Sequence, residues 1–127
     1  MKLFIIFLIL LSGCTNPSII YHPEENIRIN AGEQIHFENY IIKLVSVEND
    51  SRCAKGVQCI WEGTAKIILE INPGNSLATL DYQKREALEL DHYSIEIISL
   101  DPYPIQGVPI TPSEYSVSLK AHDLNKN

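Results

Sequence analysis

Alternation of apolar and polar residues over most of the chain predicts a series of short β-strands. The alternation is clearest near the C terminus, where one face would carry Tyr115, Val117, Leu119 and Ala121. It recurs at 65–71, where Ala65, Ile67, Leu69 and Ile71 would share a face. Less regular segments predict further strands at 27–29, 34–37, 40–47, 77–82 and 93–100. Segment 87–90 fits either a strand, which we favour, or a single helical turn.

The strand at 40–47 changes phase along its length. Ile42 and Leu44 lie on the same face as Tyr40, after which the apolar positions move to Val45 and Val47. Such a shift is typical of a β-bulge or of a strand that is buried on both faces. Turns are expected at 30–32 and 73–75, and the four prolines of segment 101–112 predict an ordered but irregular connection.

About seven short strands with a turn every eight to twelve residues predict an all-β fold. A small antiparallel β-sandwich fits best, with an immunoglobulin-like arrangement as the first choice and a small β-barrel as the alternative. The disulfide that joins the two sheets of antibody domains has no equivalent, because Cys53 and Cys59 are too close in the sequence.

The first fourteen residues differ in character from the rest. Lys2 precedes an apolar run at 3–11, which is followed by Ser12, Gly13 and Cys14. This pattern indicates an export signal, and the run is too short to span a bilayer as a helix. We therefore divide the chain into a cleaved signal peptide (1–13), a lipidated tether (14–25), a single β-domain (26–122) and a polar tail (123–127).

The tetrad 11–14, Leu-Ser-Gly-Cys, resembles the lipobox of bacterial lipoproteins. The resemblance implies cleavage before Cys14 and attachment of lipid to its sulfur, so that the membrane is one partner of the protein. A bacterial envelope location follows. Thr15, which is not the aspartate that retains some lipoproteins at the inner membrane, favours the outer membrane and periplasm, whereas a Gram-positive source would mean the cell membrane.

Charge narrows the range of partners. The chain carries a formal charge of −6, and loss of Lys2 with the signal peptide makes the mature protein more acidic. Such a surface should repel nucleic acid and anionic lipid headgroups, so no nucleic-acid partner is expected.

With Cys14 assigned to lipid, Cys53 and Cys59 remain, and outside the cytoplasm such a pair is expected to form a disulfide. They belong to segment 50–63, whose sequence is DSRCAKGVQCIWEG. This segment resembles a pattern in uncharacterised secreted and lipid-anchored bacterial proteins, in which Asp-Ser-Arg-Cys-Pro precedes Cys-x-Trp-x-Gly; Ala54 replaces the proline. The resemblance implies a domain family and no activity.

Segment 50–63 has two interpretations. In the structural one, Asp50 and Arg52 pair or bond to the loop backbone, Gly56 and Gly63 permit special backbone geometry, and Trp61 covers the disulfide or closes the core. In the functional one, a rigid loop presents Asp50, Arg52, Lys55 and Trp61 as a recognition surface, since Arg and Trp are common interface anchors.

No catalytic motif, metal-ligand spacing or cofactor-binding loop is present in the sequence, so we predict neither an enzyme nor a cofactor. The leading hypothesis is a non-catalytic domain that binds a protein or another envelope component. One alternative is a structural or accessory subunit of an envelope assembly. Another is an inhibitor of a secreted enzyme, which would insert the loop that begins at Asp101-Pro102-Tyr103-Pro104. The sequence does not specify the oligomeric state.

Overall fold

Across residues 18–126, the part of the chain that the computed structural model describes, nine β-strands and one 3₁₀ turn are present. The strands are Ile20–Tyr21 (β1), Asn26–Asn30 (β2), Gln34–Phe37 (β3), Tyr40–Glu48 (β4), Lys66–Asn72 (β5), Ser76–Asp81 (β6), Leu88–Leu90 (β7), Tyr93–Asp101 (β8) and Ser116–Asp123 (β9). The 3₁₀ turn at Pro112–Glu114 leads into β9.

The strands form two sheets that do not close into a barrel. One sheet has the order β1-β3-β4-β5-β6, and the other has the order β2-β9-β8-β7. Neighbouring strands are antiparallel except β1 and β3, which are parallel. The predicted all-β sandwich is confirmed, and the barrel alternative is not.

The connectivity, however, differs from that of an immunoglobulin domain. Strands β3 to β6 follow one another within one sheet, and β7 to β9 do so within the other. The chain changes sheets between β1 and β2, at the turn after β2, and between β6 and β7, so that four consecutive strands stay in one sheet, whereas in the seven-stranded immunoglobulin fold no more than two do. Short hairpin connections favour pairing with the next strand in sequence, which gives two meanders here.

The core lies between the two sheets and is built from the inward positions of the alternating strands. β5 is the most regular of them, because Ile67, Leu69 and Ile71 are buried while the intervening residues are partly exposed. Burial of such a side chain contributes about 1.5–3 kcal/mol. The largest fully buried side chains are Phe37, Ile27, Ile29, Ile42, Leu44, Ile67, Leu69, Ile95, Leu119 and Val117.

Two β-bulges change the phase of long strands. In β4 the register shifts between Leu44 and Ser46, so that Val45 is exposed and Val47 packs against the core. The phase change in the sequence is therefore confirmed as a bulge. A second bulge in β8 exposes Ile98, and the sequence did not predict it.

Strand register defines two opposite ends of the sandwich. Ile20 of β1 pairs with His36, which pairs with Ile41 at the beginning of β4. We call this the N-terminal end. The far ends of β4 and β8 carry the segments 49–65 and 102–115, and we call this the loop end. The nine residues of β4 separate the two ends by about 26 Å.

The N-terminal region is more ordered than the sequence predicts. Segment 14–25 was expected to be an irregular tether, but Ile20–Tyr21 forms β1. At the other terminus, Asp123 belongs to β9, and the Leu124 N–H donates to the His92 carbonyl (2.7 Å). The predicted signal peptide and Cys14 lie outside the described residues. Within residues 18–126, no helix is long and apolar enough to cross a membrane.

Replacement of Leu69 by Ala should lower the free energy of unfolding by about 2–5 kcal/mol, because the substitution leaves a cavity in a fully buried site. Leu77→Ala on β6 is the matched control, since Leu77 is largely exposed and should change stability by less than about 0.5 kcal/mol. Urea denaturation measures both. Equal losses in the two variants would contradict this assignment of the buried face.

Candidate binding site at the loop end

A buried ion pair supports the loop end. The Arg52 guanidinium donates from Nε to Oδ1 of Asp50 and from Nη2 to Oδ2, each at 2.8 Å. Arg52 is only 9% exposed. Two parallel hydrogen bonds of this kind match the planar fork of Arg to a carboxylate and fix the orientation of both groups.

The remaining donors of Arg52 reach the other connection at this end. Nη1 donates to the Leu100 carbonyl (2.7 Å) and Nη2 to the Pro102 carbonyl (2.9 Å). The Tyr115 hydroxyl donates to Oδ2 of Asp50 (2.9 Å). The pair therefore joins the disulfide segment to the end of β8, to the proline-rich segment and to the beginning of β9.

The charges in this network are stable at neutral pH. Burial by itself raises the pKa of Asp50, but hydrogen bonds from Arg52 and Tyr115 hold the pKa below its ordinary value. Burial and the hydrogen bond to Asp50 raise the pKa of Tyr115 to about 12. The stabilisation given by the Asp50 carboxylate is present above its unfolded-state pKa, about 3.9, and is lost as the pH falls through the lower folded-state pKa.

Cys53 and Cys59 form a disulfide with a Cα–Cα distance of 6.0 Å. Gly56, at the turn within the closed loop, has a φ of +82°, a conformation that favours glycine. The Val57 N–H donates to the Ala54 carbonyl (3.1 Å) and completes this turn. The short loop is thus held both by its covalent link and by its own backbone.

At the base of the disulfide segment, the backbone at Ser51 packs tightly against the backbone at Gly63 and Thr64. A Cβ on Gly63 would lie 1.6 Å from the Ser51 carbonyl oxygen, so only glycine fits. The Ser51 N–H donates to the Thr64 carbonyl (2.7 Å), and the Thr64 N–H donates to the Ser51 hydroxyl (3.1 Å). The sequence analysis expected Gly63 to permit a special backbone geometry. The structure shows that glycine is needed here because a side chain would collide with the backbone of Ser51.

A backbone contact joins the disulfide loop to the proline-rich segment. The Lys55 N–H donates to the Pro104 carbonyl (2.9 Å), and Lys55 and Ile105 form an isolated parallel bridge. A second bridge, between Ile105 and Val108, folds the proline-rich segment back on itself. The two loops therefore form one unit at this end of the sandwich.

This unit exposes several large apolar side chains. Ile60 is 90% exposed and Trp61 is 80% exposed. The proline-rich segment adds side chains that are each more than half exposed. We define the loop-end cluster as Val57, Ile60, Trp61, Tyr103, Ile105 and Val108. Apolar side chains concentrated on one surface are typical of interaction sites, whereas single exposed ones are common.

The structure divides the residues that the sequence grouped as a recognition loop. Lys55 and Trp61 lie on the surface, whereas Asp50 and Arg52 lie beneath it and support the loop. Trp61 is largely exposed and does not close the core, which was one of the two structural roles that the sequence suggested for it. The loop-end cluster thus keeps one predicted anchor, Trp61, and lacks the other, Arg52.

Sequence reasoning missed the partners that complete the site. Tyr115 appeared only as a core position of the last strand, yet its hydroxyl is bonded to Asp50. The Arg52 guanidinium also lies over the Tyr82 ring, 5.7 Å from its centroid. The one available signal was the proline-rich loop, which the sequence marked as a candidate inserting element.

An open cavity of about 380 Å³ lies beside the loop end, between the turn at 82–85 and the outer side of β8. Glu62, Arg85 and Glu96 line it together with Ile98. The Gln83 amide donates to Glu62 (2.7 Å). Within residues 18–126, no cluster of three or more His, Cys, Asp or Glu side chains is arranged to hold a metal ion.

Comparison of the chain with protein-family models, with curated proteins and with solved structures found no match.

Arg52→Ala should lower the free energy of unfolding by about 3–5 kcal/mol, because it leaves the buried Asp50 carboxylate without its charged partner. Lys55→Ala, three residues away on the exposed loop, should change stability by less than about 0.5 kcal/mol. Chemical denaturation of the two variants makes the comparison. A small effect of Arg52→Ala would show that the ion pair does not support the loop end.

Proposed function

We propose that this protein is a lipid-anchored protein of the bacterial envelope whose β-sandwich acts by binding another protein through the loop-end cluster. The observation that carries the proposal is the exposure of Ile60 and Trp61 on a loop that is fixed from below by a disulfide and a buried ion pair. The proposed activity is binding without catalysis.

Rigidity of the loop end supports a binding role. The disulfide, the Asp50–Arg52 pair and the Lys55–Pro104 hydrogen bond each restrict the loops before any partner arrives. A preformed surface loses little conformational entropy on association, and more of the interaction free energy remains as affinity. Trp and Tyr, both present in the cluster, are enriched among the residues that dominate binding energy.

Composition of the cluster favours a protein as the occupant. Lys55 is the only charged residue within 53–61 and 103–110. A surface of this kind has little charge with which to attract a polyanion, and the acidic chain as a whole repels one. Aromatic and aliphatic side chains with a polar rim, which the neighbouring cavity provides through Glu62 and Arg85, match the usual anatomy of protein interfaces.

The anchor is tested by fractionation of the full chain expressed in a bacterial host. The native protein should be recovered in the membrane fraction and incorporate a labelled fatty acid, whereas Cys14→Ser should lose the label because the acceptor sulfur is absent. Thr15→Ser is the matched control and should keep the label. Equal labelling of the Cys14→Ser variant would contradict a lipid on this residue.

The binding surface is tested by mild crosslinking and capture from envelopes of the source cells, followed by binding measurements with the purified partner. Ile60→Ser combined with Trp61→Ser should weaken binding by about 30-fold or more, the loss expected when dominant interface residues are removed. Leu77→Ser combined with Leu124→Ser, two exposed apolar residues outside the cluster, is the matched control and should bind normally.

Both variants should melt like the native protein, since all four side chains are exposed. A partner bound equally well by both double variants would overturn the assignment of the loop-end cluster. Self-association in analytical ultracentrifugation, lost only with Ile60→Ser and Trp61→Ser, would identify a second copy of the chain as the occupant instead.

A further inference from the structure

The segment 20–25, which we call the N-terminal strap, is attached to the sandwich by few contacts. β1 consists of only two residues, Ile20 and Tyr21, paired with β3. Beyond β1, the Glu24 N–H donates to the Ala121 carbonyl at 2.8 Å. An attachment of this size is expected to open more readily than the paired core strands.

Two histidine–carboxylate pairs add to this attachment. On β9, His122 lies between two carboxylates, with Nδ1 at 3.4 Å from Oε1 of Glu24 and Nε2 at 3.0 Å from Oε1 of Glu96. Lys120, also on β9, lies 3.6 Å from Oε2 of Glu24. Glu24 comes from the strap and Glu96 from β8, so His122 lies between the strap and the second sheet.

The second pair is on the other sheet. His22 of the strap places Nδ1 at 3.0 Å from Oε1 of Glu38, which follows β3. The His22 N–H donates to the carboxylate of Glu25 within the strap (3.1 Å). The two pairs thus hold the strap to both sheets at once.

Glu24 has an unusual backbone for its residue type. Its φ is +70°, in the left-handed region that favours glycine and costs an L-residue roughly 1–2 kcal/mol. The contacts of its N–H with Ala121 and of its carboxylate with His122 and Lys120 offset this strain. If the contacts of the Glu24 carboxylate weaken, the strain of its backbone favours detachment of the strap.

We propose that the N-terminal strap is a pH-sensitive attachment, which protonated His122 holds on the sandwich through Glu24 and which loosens when His122 loses its proton. Lys120 and His22 also contact carboxylates at this attachment, so release is graded and not complete.

The direction follows from His122. The hydrogen bond to Glu96 raises its pKa, burial opposes this, and the charge of Glu24 raises the pKa further. A histidine with a raised pKa contributes stability that is fully present below its unfolded-state pKa of about 6.5 and is lost as the pH rises through its higher folded-state pKa. The strap should therefore be held more tightly in mildly acidic than in mildly alkaline solution.

Release would change the reach of the binding site, a consequence that rests on the proposed lipid on Cys14. With the strap attached, six Cα–Cα steps separate Cys14 from the sandwich at Ile20, which span about 20 Å when extended. With the strap released, twelve steps separate Cys14 from β2 at Asn26, which span about 40 Å. The tether would then be about twice as long, which increases the range of positions that the loop-end cluster can occupy above the membrane.

Hydrogen exchange of the full chain in mild detergent, read by mass spectrometry, tests the attachment directly. Protection of peptides covering 20–25, corrected for the intrinsic pH dependence of exchange, should fall by about two- to fivefold between about pH 5.5 and about pH 8, the range expected for exposed ion pairs. Peptides covering β5, in the centre of the first sheet, are the internal reference and should keep their protection.

Variants assign the effect to His122. His122→Gln should abolish the pH dependence, while His92→Gln, whose ring packs against Tyr93 (4.1 Å between centroids), should retain it. Unchanged protection in the native protein, or pH dependence that persists in His122→Gln, would overturn the proposal. Both results are independent of lipid attachment and of partner binding, so failure of the strap and failure of the proposed function are distinguishable.

Discussion

The buried pair of Asp50 and Arg52 is the interaction on which the loop end depends. Neither group lies in a regular strand, yet together with Tyr115 they connect segments that are 48 to 65 residues apart in the chain. Desolvation of two charges costs several kcal/mol, so the pair is weak evidence for high stability. Its effect is to specify one geometry, because the guanidinium donors match the Asp50 carboxylate and the Leu100 and Pro102 carbonyls only when both loops are in place.

At the loop end, the residues that hold the loops in place are different from the residues that are exposed for binding. The residues beneath the surface are polar and fully hydrogen-bonded; in the described part of the chain, no buried side-chain nitrogen or oxygen lacks a partner. The residues above it are apolar and exposed, as Ile60 and Trp61 illustrate. An apolar surface on a flexible loop would lose conformational entropy on binding, and this loss would reduce its affinity. A loop that buried hydrogen bonds already hold in one conformation loses less entropy. The N-terminal strap lies at the opposite end, so attachment and display do not compete for the same surface.

Strand-level predictions from the sequence were accurate because a one-sided β-strand has a period of two. Residues 115–121 alternate without interruption and residues 65–71 do so except at Ile68, and the strands β9 and β5 that contain most of them bury their apolar positions on one face. The bulge at Val45 was visible because it shifts that alternation. The bulge at Ile98 was not visible, since the run of Ile97 and Ile98 is also compatible with a continuous strand. β1 was missed because two residues between prolines carry no periodic signal, and pairing with β3 alone defines the strand.

By itself, the sequence determined the strand segments other than β1, that the fold is all-β, and that residues 50–63 are distinctive. These properties are local, because they depend on side-chain alternation, turn residues and short motifs. Only the tertiary structure decided which strands are neighbours, and that Arg52 is a buried support while Trp61 is exposed. The physical reason is that burial of an arginine or a tryptophan depends on contacts with residues that are distant in the sequence. The Leu100 carbonyl and the Tyr115 hydroxyl are such contacts of the Asp50–Arg52 pair, and a local sequence pattern contains no information about them.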